Sequence, residues 1–453
     1  MVSGVLSKTH HYRGDSQIQA IEEIELDTIT AKDESVEQST PQVSTILRNV
    51  ENGTVPSFNG RYETAGFASI LFFIFLMGWN DGTQGPLLPA IQAHYHIGFT
   101  IVSIIFVCYC AGFLAGSFLN VYLTNTLGFG KVIVLGAALQ TIAYALQGPA
   151  PPFPLFCAAY CFSGAGISMQ LAQAAVYVLH LRNSTLKMSI FHMTYGIGAL
   201  VSPLSSTQFA AMPRWNFHFL ISLGLGIINV CSLIAMFKFK PMKDIFGDGP
   251  IHVIQESGGS ENHYLRIFKL KIVHIFAVFL FAYVGVEVTI GGWIVTFVEQ
   301  KRGGGRSSGY ITSGFFGGLA LGRILFMWLN RKVGERRVIW LYLILAIGLE
   351  VTVWVTPSLI QNAVAVSIVG LLLGPIYPIV MNMMGRFIPH SVLSGAVGWI
   401  SGFGQAGSAV LPFITGTMAS KVGVQSLQPL VIGTMGIMLG LWCTVPNDVR
   451  RDE

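Results

Sequence analysis

Apolar runs of about twenty residues recur from Gly66 onward with little between them, and this repetition limits the chain to one kind of fold. A helix rises 1.5 Å per residue, so about twenty residues cross a hydrocarbon core of about 30 Å. Within that core the backbone must satisfy its own hydrogen bonds, which a helix does. The runs predict spans at 66–91, 99–123, 131–148, 154–180, 187–210 and 217–237, then at 271–298, 308–329, 337–355, 361–386, 391–419 and 428–445. The expected fold is an all-α polytopic membrane protein of twelve transmembrane helices in two pseudo-symmetric six-helix bundles. Charged residues make up 11% of the chain, under half the roughly 25% of a soluble domain, which excludes a water-soluble globule.

The segments outside the runs set the domain plan. Residues 1–63 are expected to be a disordered cytoplasmic tail, because Glu22, Glu23, Glu25, Asp27, Asp33, Glu34 and Glu37 fall in a stretch poor in aromatics and without the apolar core of a signal peptide. Six-helix bundles at 64–238 and 271–445 then flank a cytoplasmic linker at 239–270, with a short cytoplasmic tail at 446–453. The first tail's Ser and Thr residues admit phosphorylation. Its Asn52-Gly-Thr54 matches a glycosylation acceptor, a match without meaning on the cytoplasmic side. With both termini inside, sixteen Lys and Arg residues of the loops and C-terminal tail face the cytoplasm and five (Arg214, Lys301, Arg302, Arg306, Lys421) face out, the expected bias. The plasma membrane is the default location, with vacuolar or other internal membranes as alternatives. The net charge of +5 follows from this loop bias and leaves no nucleic-acid footprint. All six Cys lie in apolar runs and read as small core residues rather than a disulfide framework.

The halves repeat. An offset of 206 residues puts Asp81 on Glu287, Thr83 on Thr289, Gly85 on Gly291, Gly112 on Gly318, Gly116 on Gly322 and Gly128 on Gly334. An offset of 209 brings Gly198 and Pro203 onto Gly407 and Pro412. Glycine is frequent enough to match by chance, but an acid on an acid inside apolar spans is not. Two parallel copies of a six-helix unit enclose a site at their interface, near the bilayer midplane.

Ionisable groups at a bilayer centre cost about 2.5–3.5 kcal/mol on insertion scales, so each needs a reason. Asp81 is the sole acid between Thr64 and Phe237 and lies about 22 Å along the first span. Glu287 has the same depth in the seventh, Arg323 lies mid-span in the eighth, and Glu350 in the ninth is placed to reach the outer interface. Two readings stand for the carboxyls: they pair with Arg323 and lock helices together, or they mark a solute or ion path. A carboxyl in an apolar cavity has its charged form disfavoured, which suits proton uptake and release. Sodium is the rival ion, since Asn80, Asp81 and Thr83 also offer oxygens, but further ligands are not identified.

Polar stripes accompany the acids. Ser163, Gly166, Gln170, Gln173 and Tyr177 share a face of the fourth span, and His192, Tyr195, Ala199, Ser202 and Ser206 a face of the fifth. Such amides and hydroxyls either bind a polyhydroxylated solute or bond helix to helix. For His192 alone the structural reading is favoured. Trp293 and Tyr377 offer flat apolar faces to a sugar ring. The candidate coupling residues are Asp81 and Glu287; the candidate solute contacts are Asn80, Gln84, Gln170, Gln173, His192, Trp293, Arg323, Tyr377 and Gln405. Gly112-x-x-x-Gly116 and Gly318-x-x-x-Gly322 allow close helix packing. Gly85-Pro-Leu-Leu-Pro89 and Gly374-Pro-Ile-Tyr-Pro378 are expected to interrupt their helices.

With these residues in hand, the chain resembles the major facilitator superfamily over about 64–445. Leu127-Gly-Phe-Gly-Lys-Val-Ile133 and Val333-Gly-Glu-Arg-Arg-Val-Ile339 look like its loop motif, although Asn125 and Thr126 stand where the family has Asp and Arg. Asn80-Asp81 with Leu87-Leu-Pro89, Tyr283-Val-Gly-x-Glu287 and Gly322-Arg323 look like the fucose-permease-like branch, including fungal members of unassigned substrate. The resemblance implies a role for Asp81 in proton coupling and sugar binding and for Arg323 in the transport site. The fourth-helix Glu of that permease has no counterpart here, so fucose itself is unsupported.

The expected function is secondary active transport by alternating access, with proton-coupled uptake of a small polar solute such as a sugar. The alternatives are efflux of a secondary metabolite and, from another class, a solute receptor that signals without transport. No GxxxxGK[ST] motif, metal-ligand spacing or nucleophile triad is present, so the chain is not read as an enzyme and no cofactor or metal is expected. Its expected partners are the solute, protons and the bilayer, and its expected state is a monomer.

Overall fold

A computed structural model describes residues 60–246 and 266–446. The acidic tail with its Asn52 motif, most of the central linker and the final residues lie outside the described residues. Twelve long helices run in chain order: α1 Gly60–Tyr95, α2 Phe99–Leu127, α3 Phe129–Gln147, α4 Phe153–Leu179, α5 Ser184–Ala210 and α6 His218–Phe237. The second set is α7 Lys271–Lys301, α8 Tyr310–Leu325 continued by Met327–Val333, α9 Glu335–Val355, α10 Leu359–Phe387, α11 His390–Val422 and α12 Leu427–Cys443. No strand occurs among the described residues. The alternation of twelve helices puts the start of α1 and the end of α12 on one side, called here the termini face; the other side is the far face.

Among the described residues nine helices are long and apolar enough to cross a membrane by length and composition alone, and α8 makes a tenth if its two segments count as one span. The two that fall short, α5 and α11, are the equivalent helices of the two halves. Their length of 27 and 33 residues suffices to cross. Their hydroxyls and glycines are tolerated because they pack between other helices: α5 against α1 and α8, α11 against α7 and α2.

Glycines set the packing in both halves alike. A Cβ on Gly198 of α5 would strike the Phe75 carbonyl of α1, and one on Gly407 of α11 would strike the Phe281 carbonyl of α7. Phe75 and Phe281 are 206 apart, Gly198 and Gly407 are 209 apart, so one contact recurs in each half. Gly112 and Gly318 likewise meet backbone of α4 and α10.

Three expectations are corrected. The proline-rich segment of α1 does not interrupt it: Pro86 and Pro89 lie inside one continuous helix, as membrane-spanning helices tolerate proline. The α10 segment does break, between Leu373 and Ile376. Of the six cysteines, all free, only Cys110 and Cys157 are buried, while Cys231 and Cys443 are exposed on outward helix faces. Glu350 does not reach an interface: it is 1% exposed inside the second half, with both oxygens lacking a hydrogen-bond partner.

Candidate transport site

Gly85 of α1 and Gly291 of α7 are equivalent under the repeat, and they touch: a Cβ on Gly85 would strike the Gly291 carbonyl. Equivalent residues of two copies can meet only near the axis that relates them, so the pseudo-twofold passes through this point. Asp81 and Glu287 lie four residues earlier on each helix, one turn or about 6 Å toward the termini face. Both line one cavity of about 470 Å³, its open mouth included.

The far side of this cavity is sealed by two sets of symmetry-matched contacts. A Cβ on Gly309 of α8 would meet the Thr207 hydroxyl of α5, and one on Gly416 of α11 would meet the Ser103 hydroxyl of α2. Adding 206 to 103 gives 309, and adding 209 to 207 gives 416, so these are one contact made twice. Thr100 Oγ1 donates to Ser420 Oγ at 2.8 Å, and the Gln208 amide bonds the Tyr310 hydroxyl, closing the same face. Toward the termini the facing ends of the halves carry exposed Leu186, Tyr122 and Trp328. The matched contacts and side-chain bonds cap the cavity on the far side.

Its wall combines both kinds of surface. Phe106 and Phe316 give apolar faces, while Gln84, Gln405 and Ser408 give amides and a hydroxyl. Gln405 Nε2 donates to Ser408 Oγ at 3.1 Å, holding both groups at the wall. Tyr109 and Tyr195 complete it. Asp81 Oδ2 accepts the Tyr195 hydroxyl at 2.8 Å, and Oδ1 accepts Asn80 Nδ2 at 3.3 Å. Glu287 is 9% exposed. Among the described residues the salt bridges join Lys187 to Glu63 and Arg386 to Glu335, so Arg323 makes no ion pair with either cavity acid.

The candidate contacts therefore separate into groups. Gln84 and Gln405 line the cavity with both acids. Asn80 stands behind Asp81, its carbonyl accepting from Ser163 Oγ at 3.2 Å. Gln170 and Gln173 turn into the first half: Gln170 Nε2 donates to Gln140 Oε1 at 2.8 Å, and Gln173 Nε2 to Asn120 Oδ1 at 2.8 Å. Trp293 is fully buried, its Nε1 donating to the Pro412 carbonyl at 3.1 Å. Tyr377 lies against the Tyr283 ring with centroids 6.0 Å apart. The His192 side chain is exposed, and its carbonyl accepts from Arg323 Nη1 at 3.3 Å. Arg323 also sits over the Tyr195 ring at 5.8 Å.

Sequence reasoning left Phe106, Tyr109, Phe316 and Ser408 out of the site. Tyr195 was visible as a member of the α5 stripe. Ser408 follows Gln405 by three residues, the spacing of one helix face. Tyr109 and the two Phe residues look like any apolar-run aromatics, so nothing marked them.

Relatives and solved structures agree with this architecture. The chain is 24% identical over 454 residues to bypass of stop codon protein 6 of Saccharomyces cerevisiae, covering 92% of this chain and 91% of that one. It is 21% identical over 391 residues to a glucose/galactose transporter of Brucella abortus, covering 81% and 91%. Among solved structures, a bacterial homolog of the human lysosomal transporter Spinster, inward-facing and unoccupied, superposes with a TM-score of 0.67 at 12% identity, covering 84% of this chain and 96% of that one. The transporter FucP in an outward conformation gives 0.59 at 14% identity, covering 83% and 97%. The family model described as Major Facilitator Superfamily matches residues 70–307 and 275–452. A repeat with its axis between Asp81 and Glu287, twelve helices in two halves and this match lead to one conclusion: the chain is a membrane transporter belonging to the Major Facilitator Superfamily.

Proposed function

We propose that this transporter takes up a small polar solute, a sugar, together with protons, with Asp81 as the principal proton site and Glu287 as the second. The observation that carries the reading is that these two acids, equivalent by sequence repeat, line one cavity beside the axis, and among the described residues neither forms a salt bridge. A carboxylate without a salt bridge in a low-dielectric wall is costly, and taking a proton or a solute hydroxyl relieves that cost. Aromatic faces with amides and hydroxyls between them match a sugar ring and its hydroxyls, and the Brucella abortus relative is named as a glucose/galactose transporter.

The bundles at 64–238 and 271–445 move as bodies in this proposal, alternating between the far-closed arrangement and its opposite. Both termini lie in the cytoplasm of a plasma-membrane protein, so the capped far face is the outer one. Gln84 and Gln405 contact the solute. Gln170 and Gln173 hold the first bundle together, and Trp293 seals the far side.

The test is uptake of radiolabelled monosaccharides into proteoliposomes under an imposed proton gradient or an imposed sodium gradient. Accumulation driven by the proton gradient alone supports the reading. Uptake equal with and without that gradient removes proton coupling, and uptake driven by sodium replaces it.

A further inference from the structure

Tyr195 packs against the core of the first half and also makes two polar contacts. Its hydroxyl donates to Asp81 Oδ2 at 2.8 Å, and its ring lies beneath the Arg323 guanidinium at 5.8 Å. Arg323 reaches back across the seam between the halves to the His192 carbonyl, one turn before Tyr195 on α5. One side chain therefore touches the proposed proton site on α1 and the cation on α8.

The location of Arg323 gives this contact its consequence. From its N-cap Gly309 to Ala320 the α8 segment packs on α5: Gly309 meets Thr207, Gly317 meets Leu200 and Gly196 meets Ala320. Just past Arg323 the helix breaks at Phe326, and Met327–Val333 turns away by 53°. The pair Tyr195–Arg323 is thus at the end of the α5–α8 seam, where the termini-side part of α8 leaves its partner.

We propose that Tyr195 is a positioning residue that couples the charge on Asp81 to the α8 bend, and so to closure of the termini-side mouth. The inference rests on the reading of Asp81 as a proton site. With Asp81 ionised, the Tyr195 hydroxyl is held by a charge-assisted bond, the ring is fixed, and Arg323 is kept on it and on the His192 carbonyl. When a proton from the cavity water joins the carboxylate, the accepting oxygen loses its charge and the bond weakens. The ring is then free to turn, Arg323 loses its seat, and the segment beyond Phe326 can swing toward α5.

Other ionisable groups face the same place. Tyr109 of α2 and Glu287 of α7 share the cavity wall, Arg323 of α8 lies over the ring, and His192 is on the Tyr195 helix. Tyr144 of α3 reaches Asn80 at 3.4 Å, and His218 of α6 bonds Thr83 at 3.0 Å. Among the described residues Glu287 is the one other acid lining the cavity, so the test includes its Gln variant.

The experiment uses the full chain in nanodiscs, with Cys231 and Cys443 replaced by serine and spin labels at positions 186 and 331. These lie at the termini-face ends of α5 and α8. The distance between labels is followed against pH by pulsed electron paramagnetic resonance. In the parent a pH-dependent change is expected, Asp81→Asn abolishes it, and Glu287→Gln keeps most of it. Tyr195→Phe retains the ring and loses the hydroxyl; it should move the open-to-closed ratio at a fixed pH by roughly 10- to 150-fold, the worth of one hydrogen bond to a charged group. Arg323→Gln should shrink the change as well, and it stands in if Tyr195→Phe does not fold. If Asp81→Asn abolishes the response while Tyr195→Phe and Arg323→Gln titrate like the parent, the coupling role of Tyr195 is overturned and Asp81 survives as the proton site. A full response in Asp81→Asn, or none in the parent, overturns both.

Discussion

Replacing Gly85 with alanine tests whether the far-face seal is the contact that opens and closes. The added Cβ would press on the Gly291 carbonyl and come within 3.1 Å of Thr312 Oγ1. Both belong to the other half, and a helix carbonyl cannot step aside as a flexible side chain does. Overpacking of this kind costs about 1–3 kcal/mol, and it is felt only while the far face is closed. Once the halves part there, the methyl meets open space. The gain in helix propensity from Gly to Ala, about 1 kcal/mol, is common to both states and cancels. The ratio of far-open to far-closed molecules should therefore rise by roughly 5- to 150-fold. Spin labels at Met212, after α5, and Ile360, at the start of α10, both exposed, would report the distance across that face. Gly112→Ala is the control: its Cβ would strike the Cys161 carbonyl within the first half, so it should lower thermal stability and leave the ratio unchanged. An unchanged distance distribution in well-folded Gly85→Ala would refute the reasoning, as would a loss of stability matching that of the control.

Further outcomes follow from the site. Glu287→Gln should alter solute affinity or the pH dependence of uptake with an unchanged melting temperature; a lower melting temperature alone would assign it to packing. Gln170→Leu leaves Gln140 and Asn229 without their partner inside the first half, and should destabilise by about 1–3 kcal/mol in thermal unfolding while leaving solute preference intact. A changed preference would return the α4 stripe to the solute path.

The spans were legible because a bilayer demands about twenty apolar residues in a row, and a repeat offset survives in glycines whose neighbours leave no room for a Cβ. Asp81 and Glu287 stood out because an acid in such a run is costly. The direction of each polar stripe was not legible. Helical spacing assigns Gln170 and Gln173 to one face, but only the packing of α4 against α2 and α3 turns that face away from the cavity. The bend after Arg323 was hidden for a related reason: Gly322 matches Gly116, yet α2 runs through its glycine while α8 breaks four residues beyond. Conversely, Pro86 and Pro89 read as breakers, and α1 continues through both.

The proton role of Asp81 is tested most directly by comparing two modes of transport in Asp81→Asn proteoliposomes. Exchange of labelled for unlabelled solute needs binding and the swing of the halves; accumulation against a gradient needs proton coupling as well. The account predicts that exchange persists and that accumulation under a proton gradient disappears. Accumulation at the level of the unaltered protein would contradict it.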